Sequence, residues 1–265
     1  MKNTKITIIG GGNIGSAIAF GLLKSKVIPV DNLTVAGREK KQLLQQFGKT
    51  INTTVKTSIA IKGSKYIIIA VKPHSMVKVI SQIKNHITED QIILSVVSSV
   101  TIDEIAEMLK KSNYIFRIMP NTAISIEEAI TCISSSKKIK SDDIEEVEKI
   151  FNHMGKTLII PEYLMGAATV LGSCGIAFAL RFLRAATQGG IQIGFHAKTS
   201  QFISAQILKG AAELILNSEQ HPEEEIDKVT TPMGITIEGL NEMEFNGFSS
   251  SLIKGILASY KKVHN

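Results

Sequence analysis

The sequence predicts an α/β protein in two parts, an amino-terminal parallel sheet covered by helices and an all-helical carboxy-terminal part. Three observations carry this. Short runs of strand formers alternate with helical stretches up to Ile160, a glycine-rich turn joins the first strand to the first helix, and strand-like runs vanish after Pro161. Domains are therefore expected at residues 1–160 and 161–265. A chain of 265 residues sits where single cores stop growing, at roughly 250–300, so two domains are also what length suggests.

The elements follow in order. Lys5 to Ile9 are strand formers leading into Gly10, and Ser16 to Lys24 reads as a helix with small residues inward. Leu33 to Ala36 makes the second strand and Glu39 to Phe47 the second helix. Further strands are predicted at Thr53–Lys56, Tyr66–Val71, Ile92–Val97, Tyr114–Ile118 and Ala129–Ser134, with helices at Met76–Asn85, Ile102–Lys110 and Ser141–Met154. Strand alternating with helix implies a parallel sheet with both faces covered. Beyond Pro161, helices are expected over Glu162–Leu171, Gly175–Ile193, Ala197–Asn217, Pro222–Lys228, Ile237–Asn246 and Ser249–Val263.

Composition narrows the function classes. Apolar residues make up 44% of the chain and charged ones 20%, which describes an ordinary globular protein. The net charge of +6 comes from dispersed lysines, since the arginines are Arg38, Arg117, Arg181 and Arg184, and there is no tryptophan. Nucleic acid is not expected without a basic cluster interleaved with aromatics, whereas a diffuse positive field suits an anionic small molecule. Cys132 and Cys174 have no companion at a metal-ligand spacing, so no metal and no disulfide framework is expected, and two free thiols point to a reducing cytoplasm. Met1 to Thr4 lacks the pattern of an export signal. The uncharged stretch from Tyr163 to Leu180 approaches the length of a membrane span, but Gly166, Gly172, Ser173 and Gly175 dilute it, and buried helices at a subunit interface are expected instead.

The chemistry begins at Gly10-Gly11-Gly12-Asn13-Ile14-Gly15, a GxGxxG between strand and helix, the fingerprint of a Rossmann-type dinucleotide site. Gly10 permits the tight turn, Gly12 lets a pyrophosphate approach the backbone, and Gly15 lets helix and strand pack closely. At the end of the second strand, Ala36-Gly37-Arg38 has no acid for a ribose hydroxyl, while the Arg38 guanidinium suits a 2′-phosphate. NADPH is thus the expected cofactor and NADH the alternative, with Glu39 as the counter-signal. Another strand ends in Ala70-Val71-Lys72-Pro73-His74, at the edge where parallel sheets bind ligands. Lys72 there is either a cofactor or substrate contact or a solvated charge. Arg117-Ile118-Met119-Pro120-Asn121-Thr122 places Asn121 to bond across the same cleft, or simply in a turn. In the helical part, Thr230-Thr231-Pro232-Met233-Gly234-Ile235-Thr236 forms a hydroxyl-rich break. Thr236 is expected to cap the following helix, and the loop either does no more than that or, with its amides and the Thr236 hydroxyl, binds a carboxylate and a nitrogen.

Jointly GGGNIG, AVKPH at Ala70 to His74, RIMPNT at Arg117 to Thr122, GSCGIAF at Gly172 to Phe178, SEQHP at Ser218 to Pro222 and DKVTTPMGITIEGL at Asp227 to Leu240 resemble pyrroline-5-carboxylate reductase over nearly the whole chain. The resemblance implies reduction of 1-pyrroline-5-carboxylate to L-proline with NAD(P)H, the last step of proline biosynthesis. It implies a cofactor held by Ile9, Gly10, Gly11, Gly12, Asn13, Ile14 and Gly15, by Ala70, Val71, Lys72 and Pro73, and by Arg38, Thr57 and Asn121. Thr236 would be the catalytic contact to the ring nitrogen, with Gly234, Ile235, Thr236, Glu162, Glu219 and Lys72 lining the substrate. It also implies helical domains that interlock in a homodimer, with assembly to a decamer. The chain departs from the family pattern at Cys174, Ile176, Phe178, Met233, Ala123 and Thr57.

Three rivals remain at this point. A β-hydroxyacid dehydrogenase shares the two-part plan but needs a lysine soon after the glycine turn of its second part, where this chain has none between Gly175 and Lys198. Another imine reductase and a non-catalytic NADPH sensor are the others.

Overall fold

The computed structural model describes residues 3–111, 113–137, 139–218 and 220–264. Strands β1 (Ile6–Ile9), β2 (Leu33–Ala36), β3 (Asn52–Thr54), β4 (Tyr66–Ile69), β5 (Ile92–Ser95), β6 (Ile115–Met119), β7 (Ala129–Ser135) and β8 (Gly155–Ile159) form one sheet in the order β3-β2-β1-β4-β5-β6-β7-β8. Between them run α1 (Asn13–Lys24), α2 (Lys40–Phe47), α3 (Thr57–Ala60), α4 (Met76–Ile83), α5 (Ile102–Leu109) and α6 (Ser141–Asn152). The order reverses at β1 and β4, so their carboxyl ends open a crevice for a ligand.

Strand alternation divides the core in two. On one face Ile8, Leu94, Phe116 and Ile118 pack with Ile18 and Leu22 of α1 and Phe151 of α6. On the other, Ile67, Ile69, Ile93 and Ile115 pack with Ile80 of α4 and Ile105 of α5. Strands covered on both faces are apolar at nearly every position, which is why β4 reads Tyr-Ile-Ile-Ile.

The sheet departs from the all-parallel expectation at one place, where β6 pairs antiparallel with β7 in the register Arg117↔Ser134. The connection from Pro120 to Glu128 holds a 3-10 turn at Thr122–Ile126. It is shorter than the roughly dozen residues a parallel crossover needs, so the chain turns back on itself. After α6 the chain returns as β8, parallel to β7 at the sheet edge.

By packing, the described chain divides into two units, residues 1–174 with 260–265, and residues 175–259. The second unit comprises α8 (Gly175–Gln192), α9 (Ala197–Asn217), α10 (Pro222–Lys228), α11 (Ile235–Phe245) and most of α12 (Phe248–His264), α7 being the short helix Met165–Ala168 before it. Here α8 and α9 approach through small residues: a Cβ on Gly190 would collide with Ser200, whose hydroxyl donates to the Thr187 carbonyl at 2.8 Å. α8 buries no side chain, and Leu180, Phe202, Leu216 and Phe245 are exposed, so this unit's apolar side chains point outward.

Candidate functional site

The first unit builds an anion cradle at the end of β1. Gly10 has φ +116, a conformation L side chains rarely adopt, and a Cβ there would strike the Ala70 carbonyl. A Cβ on Gly15 would strike the Gly10 carbonyl and lie 3.3 Å from the Ala70 Cβ. Around Gly12, by contrast, nothing lies within 4 Å of the built Cβ, and this residue starts α1 with no side chain capping the helix. The amides of the first turn therefore keep their positive end for a ligand. The carbonyl side of the turn is braced from within: Ser16 Oγ donates to the Gly12 carbonyl at 2.8 Å and receives a bond from Gln46 Nε2 on α2. Sequence reading missed this brace. Its signal is a serine one turn into the helix, where the hydroxyl bonds back to the i−4 carbonyl.

The neighbouring strand ends complete the cradle. The Ala70 amide donates to the Ile9 carbonyl at 2.8 Å, holding the β4 loop on the β1 loop, and Val71 and Lys72 continue to a 3-10 turn opened by Pro73, with Lys72 exposed. From β2, Ala36 accepts from the Gly10 amide at 2.8 Å, and the Gly37 amide donates to the Thr54 carbonyl at 3.0 Å. The next residue, Arg38, is exposed and has no ion pair among the described residues. Glu39 is the backbone cap of α2, and half-buried Thr57 opens α3. An open glycine, an uncapped helix start and an unpaired guanidinium at adjacent strand ends are the donor set a phosphorylated dinucleotide needs.

Asn121 and Glu162 are engaged inside the protein. The Asn121 side chain accepts from the Ala123 amide at 3.0 Å and donates to the Gly172 carbonyl at 3.0 Å, and the residue is buried. Glu162 Oε1 accepts from the Ile102 amide, the first of α5, at 2.8 Å and from Arg117 Nη1 at 3.2 Å. Arg117 is 6% exposed, and its Nε has no hydrogen-bond partner. Sequence reading missed this arginine, although a charge inside the unbroken apolar run Ile-Phe-Arg-Ile-Met was the signal, since buried charges need partners. Cys132 and Cys174 are unpaired; burial pushes the Cys132 thiol up, leaving it an apolar side chain packed with Met119 and Met165.

In the second unit, the break between α10 and α11 is set by backbone geometry. Thr230 Oγ1 donates to the Ile226 carbonyl at 2.8 Å, closing α10, and the Gly234 amide donates to the Thr231 carbonyl at 2.9 Å. A Cβ on Gly234 would meet the Thr231 carbonyl oxygen at 2.9 Å. The expectation that Thr236 caps α11 is corrected. Gly234 is the cap residue with no side-chain bond, α11 starts at Ile235, and Thr236 is its second residue, half-buried. A hydroxyl past the cap cannot reach back to the first amides, and those amides are left without a side-chain acceptor. Glu219 lies outside the described residues.

Comparison with known proteins adds the following. Residues 162–265 match the family model described as pyrroline-5-carboxylate reductase dimerisation, and residues 5–99 match that of NADP oxidoreductase, coenzyme F420-dependent. Pyrroline-5-carboxylate reductase 2 of Dictyostelium discoideum is 41% identical over 279 residues, covering 99% of this chain and 93% of that protein. Pyrroline-5-carboxylate reductase 1 of the same organism is also 41% identical, over 97% of this chain, which spans about half (49%) of that longer relative. The crystal structure of the Plasmodium falciparum pyrroline carboxylate reductase with NADP bound superposes with a TM-score of 0.92 at 29% identity, covering 99% of this chain and 98% of that one.

Proposed function

Because this chain belongs to the pyrroline-5-carboxylate reductase family, we propose that it reduces 1-pyrroline-5-carboxylate to L-proline with NADPH, the last step of proline biosynthesis. The observation that carries the proposal is the cradle at Gly10 to Gly15. Its two packed glycines and one open glycine fit a pyrophosphate, in a chain similar to these reductases from end to end. Bound NADPH supplies the hydride, and NADH is the alternative donor.

The residues divide the work as follows. Ile9, Gly10, Gly11, Gly12, Asn13, Ile14 and Gly15, with Ala70, Val71 and Pro73, hold the cofactor's phosphates and nicotinamide end. Arg38 holds the 2′-phosphate, while Thr57 and Asn121 border its binding region. The uncapped first amides of α11, from Gly234 to Thr236, receive the substrate carboxylate, because a helix start attracts an anion. The Thr236 hydroxyl steadies the ring nitrogen as its positive charge is lost, and Lys72 and Glu219 line the substrate region, with Glu162 nearby. A protonated imine is already electrophilic, so orientation carries most of the rate and the reaction needs neither metal nor covalent intermediate.

We infer further that the outward apolar faces of the helical unit are covered by a second copy in a homodimer, with decamers as the further assembly. The helical run Glu162–Gln192 is long and apolar enough for a membrane crossing, and the homodimer reading assigns its exposed side chains to the partner subunit. The unpaired Cys132 and Cys174 support a cytoplasmic location. Purified protein mixed with NADPH and 1-pyrroline-5-carboxylate is expected to oxidise the cofactor, read as loss of nicotinamide absorbance. Tight NADPH binding without oxidation would refute the enzyme reading in favour of a sensor.

A further inference from the structure

The RIMPNT segment does a job beyond the cofactor contact that the reductase reading assigns to Asn121. Arg117 and Met119 lie two residues apart on β6 and so share a sheet face, and Asn121 follows two residues on. Each holds one point of the helical segment 162–174. Arg117 pairs with Glu162, Met119 packs with fully buried Met165 beside Cys132, and Asn121 Nδ2 bonds the Gly172 carbonyl. The three residues are 6%, 5% and 3% exposed.

This segment is the start of a continuous helical run, Glu162–Gln192, whose later part is α8. It includes a π-helical stretch, Thr169–Cys174, directly before α8. Such stretches have a wider hydrogen-bond pattern and persist where outside contacts hold them, as Asn121 does here at Gly172. Packing alone does not explain Arg117. Its strand neighbours Ser95 and Ser134 are buried and polar, and nearby on this face lie Ile93, Ile115, Met119 and Cys132, where an aliphatic side chain would fit without a charge to bury. Nor does α5 require Glu162 for its cap, because Thr101 and Glu104 already form a reciprocal capping box. What the Arg117–Glu162 pair adds is direction: one oxygen fixed by donors from two elements sets where the helical run begins.

We propose that Arg117, Met119 and Asn121 are positioning residues of imine reduction, which register segment 162–174, the stretch leading into α8, on the sheet. On this proposal, which rests on the reductase reading, Glu162 acts through Arg117 and does not touch the substrate.

The test is a double-mutant cycle on the full chain with Glu162→Gln, Arg117→Met and the pair, measuring kcat and KM for 1-pyrroline-5-carboxylate, NADPH Kd and amide hydrogen exchange. Glu162→Gln is expected to lower kcat about tenfold or more, since small misplacement is costly in an oriented reaction, with KM and NADPH Kd within about twofold. Exchange should quicken across residues 163–174 and not at Gly10 to Ser16. The double variant should recover activity relative to Glu162→Gln, because the unpaired buried guanidinium is gone. Losses that simply multiply, or a KM rise with kcat unchanged, would overturn the proposal and make Glu162 a substrate contact. A wild-type chain that never turns over imine defeats the reductase reading instead. Unchanged exchange over 163–174 in Glu162→Gln then still overturns the registration claim.

Discussion

Two glycines in one loop should respond to alanine in opposite ways. At Gly15 a Cβ comes closer than 3.0 Å to the Gly10 carbonyl oxygen, 3.1 Å from its carbon and 3.3 Å from Ala70 Cβ. The clash is backbone against backbone, so Gly15→Ala should cost about 3 kcal/mol, the upper end of overpacking losses. At Gly12 φ is −81 and a Cβ meets nothing within 4 Å. Alanine is a poorer cap than glycine by about 0.5–1 kcal/mol, and it removes about 0.4–1 kcal/mol of unfolded-state freedom, so stability should stay within about 0.5 kcal/mol. The same methyl occupies the open side from which a pyrophosphate approaches the first-turn amides. Loss of one charge-assisted bond, about 1.5–3 kcal/mol, weakens NADPH about 10- to 150-fold. Urea unfolding of the apo proteins and calorimetric titration with NADPH read the two effects separately. If Gly12→Ala unfolds as easily as Gly15→Ala, or binds NADPH like wild type, the open glycine is not the phosphate approach.

The remaining predictions concern other parts of the chain. Arg38→Ala should weaken NADPH about tenfold or more and NADH little, as titration with both cofactors will show, because only the former carries the 2′-phosphate. Met233, 97% exposed at φ +60, strains the turn without packing against anything, so Met233→Gly should leave stability unchanged or raise it by up to about 1 kcal/mol in urea unfolding. The Thr101 backbone amide, then its hydroxyl, holds the Glu104 carboxyl below its usual 4.5. Its contribution to stability is therefore fully present above that value and is lost as pH falls through the lower folded-state value. Glu104→Gln should accordingly be less stable than wild type at pH 7 and match it in acid, by urea midpoints at both pH values.

How far the sequence could be read depended on which physical rule decided each element. The alternating strand-helix plan of the first part and the cradle were legible because glycine placement and hydrophobic periodicity are local properties. The antiparallel β6–β7 pairing was not, since it depends on how a connection of mixed polarity folds into a 3-10 turn. β8 escaped notice because an edge strand, Gly-Lys-Thr-Leu-Ile, is exposed at alternate and terminal positions and lacks the apolar run of its neighbours. α1 begins at Asn13, three residues before the sequence-based start, because the glycines that lower helix propensity here are required by the turn and by packing. Thr236 looked like a cap because threonine favours that role, yet the turn set by Met233 and Gly234 starts α11 two residues earlier. Arg117 and Glu162 are far apart in sequence, and only the tertiary fold shows them as a pair.

The central claim is that hydride passes from a reduced nicotinamide to a cyclic imine on this protein. Reaction with NADPH deuterated at both C4 positions and unlabelled 1-pyrroline-5-carboxylate, followed by mass spectrometry, tests it directly. The account predicts L-proline one mass unit heavy, with the deuterium on the ring carbon that was doubly bonded to nitrogen. Unlabelled proline, or cofactor bound with no proline formed, would contradict it.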